Sequence, residues 1–376
     1  MKARWSPLIL LLLPATAAAE QTRAPKAPSS AIAVETVARG LRHPWALQFL
    51  PDGRLLVTER PGQMRIVTRD GQISAPLSGV PGVAATGQGG LLDVALFSDF
   101  ASSRRIAFCF AEPRQGGNGT SVATAQLADL GGTPRLEDVR IIFRQQPAHG
   151  GGLHLGCRLA IAADGRLFAT LGERFQKEQA QDLANHWGKV VRIEADGRVP
   201  ADNPFAGRPG AMPELWSYGH RNPQSAAIHP GTGKLWVVEH GPRGGDEVNV
   251  VEPGRNYGWP VIGYGIDYSG ARIHEGTHRD GMEQPIYYWS PSIAPSGMAF
   301  YTGALFPGWR GNLFVGALAG QALHRLVLDG ERVIAEEVLL ADRRDRIRDV
   351  RMGPDGALWL LTDAPDGHIL RLVPSR

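Results

Sequence analysis

The side chains of this sequence best suited to chemistry lie in glycine-rich loops. His154 sits in the run Gly150-Gly151-Gly152-Leu153-His154-Leu155-Gly156. An imidazole titrates near neutrality and can act there as a general base, although a lone histidine in a loop is more often a polar surface group. In Trp216-Ser217-Tyr218-Gly219-His220-Arg221-Asn222-Pro223-Gln224, Arg221 offers a rigid donor fork for a carboxylate or a polarised carbonyl. Asn222 adds a donor and an acceptor beside it. A structural Arg–Asp pair and an Asx turn before Pro223 account for the same residues. The charge run Arg343-Arg344-Asp345-Arg346-Ile347-Arg348-Asp349 reads first as a salt-bridged surface turn. On an extended strand, however, Arg346 and Arg348 point to the same side, and two guanidiniums side by side form a receptor for a polycarboxylate.

The most unusual stretch is Glu239-His240-Gly241-Pro242-Arg243-Gly244-Gly245-Asp246-Glu247, continuing to Gly254-Arg255-Asn256-Tyr257-Gly258-Trp259-Pro260. Glycines let backbone carbonyls approach a ligand closely, and hard cations such as Ca²⁺ take carboxylate and carbonyl oxygens together. Glu247 and neighbouring carbonyls have that chemistry; a tight loop with solvated acids has the same composition. Gly87-Gln88-Gly89-Gly90 carries one amide able to orient a ligand, but lacks the Gly-Lys-Ser/Thr ending of a phosphate loop. His274-Glu275-Gly276-Thr277-His278 matches the zinc-protease pattern H-E-x-x-H. That chemistry needs both histidines on one helical face, and Gly270 and Gly276 argue against a helix.

Short apolar strands must hold these loops in place. Pro51-Asp52-Gly53, Ala163-Asp164-Gly165, Gly231-Thr232-Gly233 and Pro354-Asp355-Gly356 each precede five mostly apolar residues. Weaker copies begin at Ser103 and Arg310. Asp-Gly supplies the positive φ that a hairpin turn needs, and the following runs are too short for helices. Six such units match the repeat signature of a propeller, whose closed ring leaves few exposed edges. The sequence therefore predicts an all-β chain, a six-bladed β-propeller over residues 35–376. A β-sandwich or a two-domain chain is the competing arrangement, but no Pro- or Ser-rich linker divides the middle. No long amphipathic helix is evident, though 178–187 could hold a short one.

The N-terminus adds a location. Lys2 and Arg4, the apolar run Leu8–Leu13 and the small residues Ala17-Ala18-Ala19 form the three regions of a secretory signal peptide. The apolar run is too short to span a bilayer. Residues 1–19 are thus read as a cleaved signal, 20–34 as a flexible lead-in with Pro25, Pro28, Ser29 and Ser30, and the protein as periplasmic or secreted. Cleavage lowers the net charge from +3 to +1, and no Lys/Arg-rich tract suggests nucleic acid. No later segment could span a membrane, and nothing marks an oligomer interface, so a monomer is the default. Cys109 and Cys157 could pair in an oxidising compartment, but spacing alone does not decide it.

Taken together, Gly89-Gly90-Leu91-Leu92-Asp93, Arg221-Asn222-Pro223-Gln224, the 239–260 stretch and Arg346-Ile347-Arg348-Asp349 resemble the soluble aldose sugar dehydrogenases that depend on pyrroloquinoline quinone (PQQ), relatives of soluble quinoprotein glucose dehydrogenase. The resemblance runs from about Val37 to Leu372. It implies a six-bladed propeller with PQQ on the top face near the axis, contacted by Gln88, Arg221, Asn222 and Tyr268. Arg346 and Arg348 would pair with its carboxylates, with Ile347 between them, and Ala317-Leu318-Ala319 would line its edge. Position 319 is alanine where relatives often carry a lysine. Gly241 and Pro242 would give carbonyl oxygens to a Ca²⁺ clamping the cofactor. A second Ca²⁺ would use Glu247 and the carbonyl of Tyr257. The implied reaction is oxidation of an aldose at C1 to the lactone: His154 takes the anomeric hydroxyl proton, a hydride passes to C5 of the quinone, Arg221 and Ca²⁺ stabilise the developing charge, and an external acceptor reoxidises the cofactor. A non-catalytic glycan- or protein-binding propeller and a Ca²⁺-dependent lactone hydrolase are the alternatives.

Overall fold

The computed structural model describes residues 23–375; the signal-peptide segment lies outside the described residues. After β1 (Ile32–Leu41) the first blade is built from β2 (Pro44–Phe49), β3 (Leu55–Glu59) and β4 (Gln63–Val67). The second holds β5 (Leu91–Leu96), β6 (Arg105–Arg114), β7 (Gly117–Ala128) and β8 (Arg135–Arg144). The third holds β9 (Gly156–Ile161), β10 (Leu167–Leu171), β11 (Lys189–Ile193) and β12 (Leu215–Tyr218). The fourth holds β13 (Pro223–Ile228), β14 (Leu235–Glu239), β15 (Asp246–Val251) and β16 (Tyr287–Trp289). The fifth holds β17 (Pro295–Phe300), β18 (Leu313–Ala317), β19 (Ala322–Asp329) and β20 (Arg332–Leu339). The last combines β21 (Ile347–Met352), β22 (Leu358–Thr362) and β23 (Gly367–Pro374) with β1, which pairs antiparallel with β23. This pairing of the first and last strands closes the ring by backbone hydrogen bonds, with Val34 opposite Leu372.

The six sheets form the six-bladed propeller that the repeats predict. Each turn singled out in the sequence heads the second strand of its blade. Gly53, Gly165, Gly233 and Gly356 sit there at φ 83, 84, 71 and 81°, the left-handed conformation that glycine adopts without steric cost. The strands β3, β10, β14, β18 and β22 that run through the blade middles are buried along their whole length, because neighbouring blades cover both faces. That explains their continuous apolar sequences in place of alternation. The innermost strands β2, β5, β9, β13, β17 and β21 touch in that order around the axis, and β21 meets β2 again.

Two expectations gain detail. The 178–187 segment contributes a single 3₁₀ turn, Lys177–Gln181. The lead-in is not free from Arg23 onward. Ala27 N–H donates to Glu336 O at 2.8 Å and Glu336 N–H to Pro25 O at 2.9 Å, so the segment lies along β20, and β1 already begins at Ile32. Ser30 donates to Glu337 and accepts from Trp309 Nε1, both at 2.8 Å. The physical reason is an outer edge whose polar groups need partners; proline and serine supply carbonyl and hydroxyl acceptors without demanding a regular strand. Cys109 on β6 and Cys157 on β9 form a disulfide with a Cα–Cα distance of 5.9 Å, which ties the second blade to the third close to His154.

Candidate active site

The loops at one end of the inner strands surround a cavity of about 360 Å³. Gln88, Leu318, Arg346 and Arg348 line it together with Trp45, Leu155, Gly156, Gln224, His240 and Asp363. The strand-alternation argument holds here. Arg346 and Arg348 face the cavity, whereas the intervening Ile347 is fully buried in the core between blades.

His154 lies two residues before β9 and is 5 % exposed. Its backbone N–H donates to Gln88 Oε1 at 2.9 Å, so the amide of the Gly-rich loop positions the histidine main chain. Its φ is 48°, a conformation uncommon outside glycine. A Cβ at Gly172 would stand 2.2 Å from His154 O, which reserves that neighbour for glycine. The ring Nδ1 lies 2.6 Å from Glu173 Oε2. The same oxygen accepts the Phe175 N–H at 2.7 Å. An ionised carboxylate only accepts, so Nδ1 carries the hydrogen and Nε2 keeps its lone pair. Burial holds the imidazole below its ordinary pKa; Glu173 pulls it back up and Arg221 and Arg174 push it down. A neutral imidazole with a free Nε2 at neutral pH is a general base ready to take a proton.

Arg221 lies between β12 and β13. Its Nη1 donates to Gly241 O at 2.7 Å and to His240 O at 3.2 Å, and its guanidinium stands 5.3 Å from the Trp259 ring centre. Asn222 is fully buried, and its Oδ1 accepts from Gly156 N–H and Gln224 Nε2, both at 3.2 Å. Beneath the cavity, Arg158 of β9 donates to Asp93 of β5 at 3.2 Å and to Asp349 of β21 at 2.9 Å. Arg351 pairs with the same two aspartates, each at 2.8 Å.

A second, much smaller space of about 20 Å³ adjoins the first across His240. Gly241, Pro242, Glu247 and Tyr257 all line it, with Arg221, Glu239 and His274. The sequence assigned these four residues to two separate ions; the fold gathers them around one opening. Burial and the neighbouring Glu239 push the Glu247 carboxyl well above the usual carboxylate range. His240, pushed down to about 3 by burial, stays neutral and hydrogen-bonds Pro295 O through Nε2 at 2.7 Å.

The remaining assignments fall elsewhere. Tyr268 is 63 % exposed on the 260–285 loop and lines neither space. Ala317 is buried in the β18 ladder and Ala319 is exposed just beyond it, so of that trio only Leu318 lines the cavity. His274, the first histidine of the H-E-x-x-H pattern, lies in a loop, as its glycines predict. Its Nδ1 bonds Pro260 O at 2.8 Å.

Comparisons with known proteins bear on the family and the fold. Residues 41–371 match the family model described as Glucose / Sorbosone dehydrogenase. The chain is 48 % identical to the aldose sugar dehydrogenase YliI of Escherichia coli K12 over 345 residues, 91 % of this chain and 92 % of that protein. The chain belongs to the glucose/sorbosone dehydrogenase family. As a member of it, the protein is an oxidoreductase of the sugar dehydrogenase type. A crystal structure of a glucose dehydrogenase superposes with a TM-score of 0.89 at 52 % identity, covering 92 % of this chain and all of that one. The PQQ-bound aldose sugar dehydrogenase of Streptomyces coelicolor superposes at 0.75 with 31 % identity, covering 92 % of this chain and 99 % of that one.

The side chains of this family member suit both implied ligands. Arg348, in the wall of the large cavity, has a buried Nε donor without a protein partner, and Asn222 Nδ2, behind the Gly156 of that wall, is another. Buried polar groups are rarely left so, and unused donors beside paired guanidiniums fit an anionic, carboxylate-bearing ligand. Around the small space, buried Glu239 and half-buried Glu247 share Asn249 Nδ2, at 3.2 Å and 3.1 Å, while Asn249 Oδ1 has no partner. Both Glu239 oxygens are taken, Oε1 also by His220 Nδ1 at 2.9 Å and Oε2 by Arg221 N–H at 2.7 Å. The oxygens left over are those of Glu247 and Asn249 Oδ1, of the kind a hard cation takes.

Glu173 was missed by the sequence reading because nothing in Gly172-Glu173-Arg174 marks it; only the fold brings it behind His154. Its role is positional and electrostatic. Glu173→Gln removes the group that raises the imidazole pKa, so the base form persists to lower pH. The acid limb of the kcat/KM profile is expected to move to lower pH, with turnover reduced by about ten- to a hundredfold. A pH–rate profile that does not move would refute the ion pair's role in tuning the base.

Proposed function

We propose that this protein oxidises aldose sugars at C1 to the lactone, with PQQ as its cofactor and Ca²⁺ beside it, and passes the electrons to an external acceptor. The observation that carries this reading is His154: a buried neutral base, fixed by Glu173 and by Gln88, itself part of the wall of a cavity whose arginines call for a polycarboxylate. Bound PQQ supplies an ortho-quinone able to accept two electrons from the sugar. Gln88, Arg221, Asn222, Leu318, Arg346 and Arg348 are the residues that would hold it. His154 Nε2 takes the proton from the anomeric hydroxyl, which makes C1 a better hydride donor. Arg221 supplies fixed positive charge where negative charge grows, a contribution strengthened by exclusion of water. Gly241, Pro242, Glu247 and the carbonyl of Tyr257 are the donors for Ca²⁺, with Glu239 as a further candidate from the fold.

The N-terminal signal pattern supports a periplasmic or secreted location for this activity. No helix of the described residues is long and apolar enough to cross a membrane.

Dye-linked oxidation of an aldose panel by the purified mature chain tests the reading. Activity should require both PQQ and Ca²⁺, disappear on chelation, and return when Ca²⁺ is restored. Chelation should also lower the melting temperature, because it removes the cation proposed to offset the burial of the Glu247 carboxyl and the neighbouring Glu239 charge. Hydrolysis of a lactone without dye reduction, or turnover indifferent to PQQ, would overturn it.

A further inference from the structure

The arginine pair is already paired. Asp363, which follows β22, presents a single oxygen to both guanidiniums: Oδ2 lies 3.2 Å from Arg346 Nη2 and 3.1 Å from Arg348 Nη2. Its other oxygen accepts from His43 Nδ1 at 3.1 Å. Asp363 N–H donates to Arg346 O at 2.8 Å, so the carboxylate is anchored by its own backbone. Burial works against its charge, but Arg348, His43 and Arg346 overcome this and hold the carboxyl far below the usual carboxylate range. The arginines have other commitments too. Arg346 Nη1 donates to Leu318 O at 3.1 Å and Arg348 Nη1 to Gln224 Oε1 at 3.3 Å.

We propose that Asp363 is a built-in competitor for Arg346 and Arg348, closing the cavity to single carboxylates and giving way only to a ligand that presents several. This inference rests on the functional reading above.

The physical argument is one of effective concentration. A carboxylate tethered beside its partners competes as though present at about millimolar concentration or more. A free monocarboxylate can form only the contacts that Asp363 already makes, so it gains nothing by replacing it. A polycarboxylate of the right shape spans several groups of the cavity wall at once, Arg60 and Gln88 besides the arginine pair. Asp363 also adds negative charge to a wall that receives an anion, which weakens binding of every anion in the absence of compensating contacts. The site thereby trades affinity for selectivity.

The experiment uses the mature chain freed of cofactor by gel filtration. PQQ is titrated in, followed by its absorbance and by quenching of tryptophan fluorescence, at constant ionic strength with and without a large excess of acetate. The native protein should bind PQQ with an affinity that acetate does not change. Asp363→Asn should bind PQQ about tenfold tighter or more and lose that gain when acetate is present. Acetate displacing PQQ from the native protein would overturn the proposal. So would an Asp363→Asn protein that melts normally and binds PQQ equally or less well. Should the asparagine variant not fold, Asp363→Ser is read by the same criteria and the native acetate titration stands independently. If the native chain takes up no PQQ, the functional reading falls and this inference with it; if it does and only the variant or acetate results disagree, this inference alone falls.

Discussion

His154→Ala is expected to take up PQQ like the native protein while its turnover falls by about 10²–10⁴-fold. The variant removes a ring, and with it Nε2, but leaves the backbone N–H that bonds Gln88 Oε1 at 2.9 Å. The arginines and the asparagine proposed to hold the cofactor do not contact the imidazole through any hydrogen bond described above. Loading and chemistry should therefore separate. The pH profile gives a second readout. In the native enzyme the rate should fall as acid protonates His154, whose pKa burial holds below the ordinary value; in the variant that limb should vanish. Because residue 154 sits at φ 48°, His154→Asn is a useful companion, since asparagine tolerates that conformation better than alanine. Near-native turnover in either PQQ-loaded variant would remove His154 from the role of base and leave the cavity a binding site in search of another.

The fold was legible because a propeller repeats its instructions. A glycine turn heads the second strand in the first, third, fourth and last blades, and Asp164-Gly165 or Asp355-Gly356 announces a hairpin through local conformational preference alone. The arginine pair was legible for a related reason: strand alternation fixes the relative directions of Arg346 and Arg348 without knowledge of their neighbours. The residues proposed as calcium donors were legible only as a composition, and the fold brings all four to one opening. The closure through β1 and β23, the Glu173 carboxylate behind His154, and Asp363 across the arginines depend on pairings between distant segments. His43 and Asp363 are separated by 320 positions, and no local pattern in Arg42-His43-Pro44 specifies that partner. Tyr268 was assigned to the cofactor by the family resemblance alone, and the fold leaves it exposed on the 260–285 loop. Residues on rigid inner strands were thus read better than residues carried by long insertions.

Arg158→Met should destabilise the protein by about 3–5 kcal/mol, lowering the melting temperature by roughly 5–15 °C. Arg158 is 1 % exposed. Its guanidinium binds Asp93 and Asp349 and donates through Nε to Gln224 O at 3.1 Å, so one side chain on β9 links the inner strands of the second, fourth and sixth blades. Asp349 extends the link to the first blade by accepting Leu47 N–H at 3.1 Å. The cluster is balanced, with two arginines facing two aspartates. Methionine fills much of the volume but leaves Arg351 to neutralise both carboxylates, and an uncompensated buried charge is the dominant cost. Adding Asp93→Asn should therefore recover part of the lost stability, a coupling that two independent packing defects would not show. The effect should reach the site as well. The Arg158 guanidinium lies 4.2 Å from the ring centre of Trp45, which forms part of the cavity wall, so PQQ affinity should fall together with the melting temperature. A single variant as stable as the native chain, or a double variant that loses the sum of both changes, would show that the propeller axis does not need this charge balance and that the wall of the cavity is held by apolar packing instead.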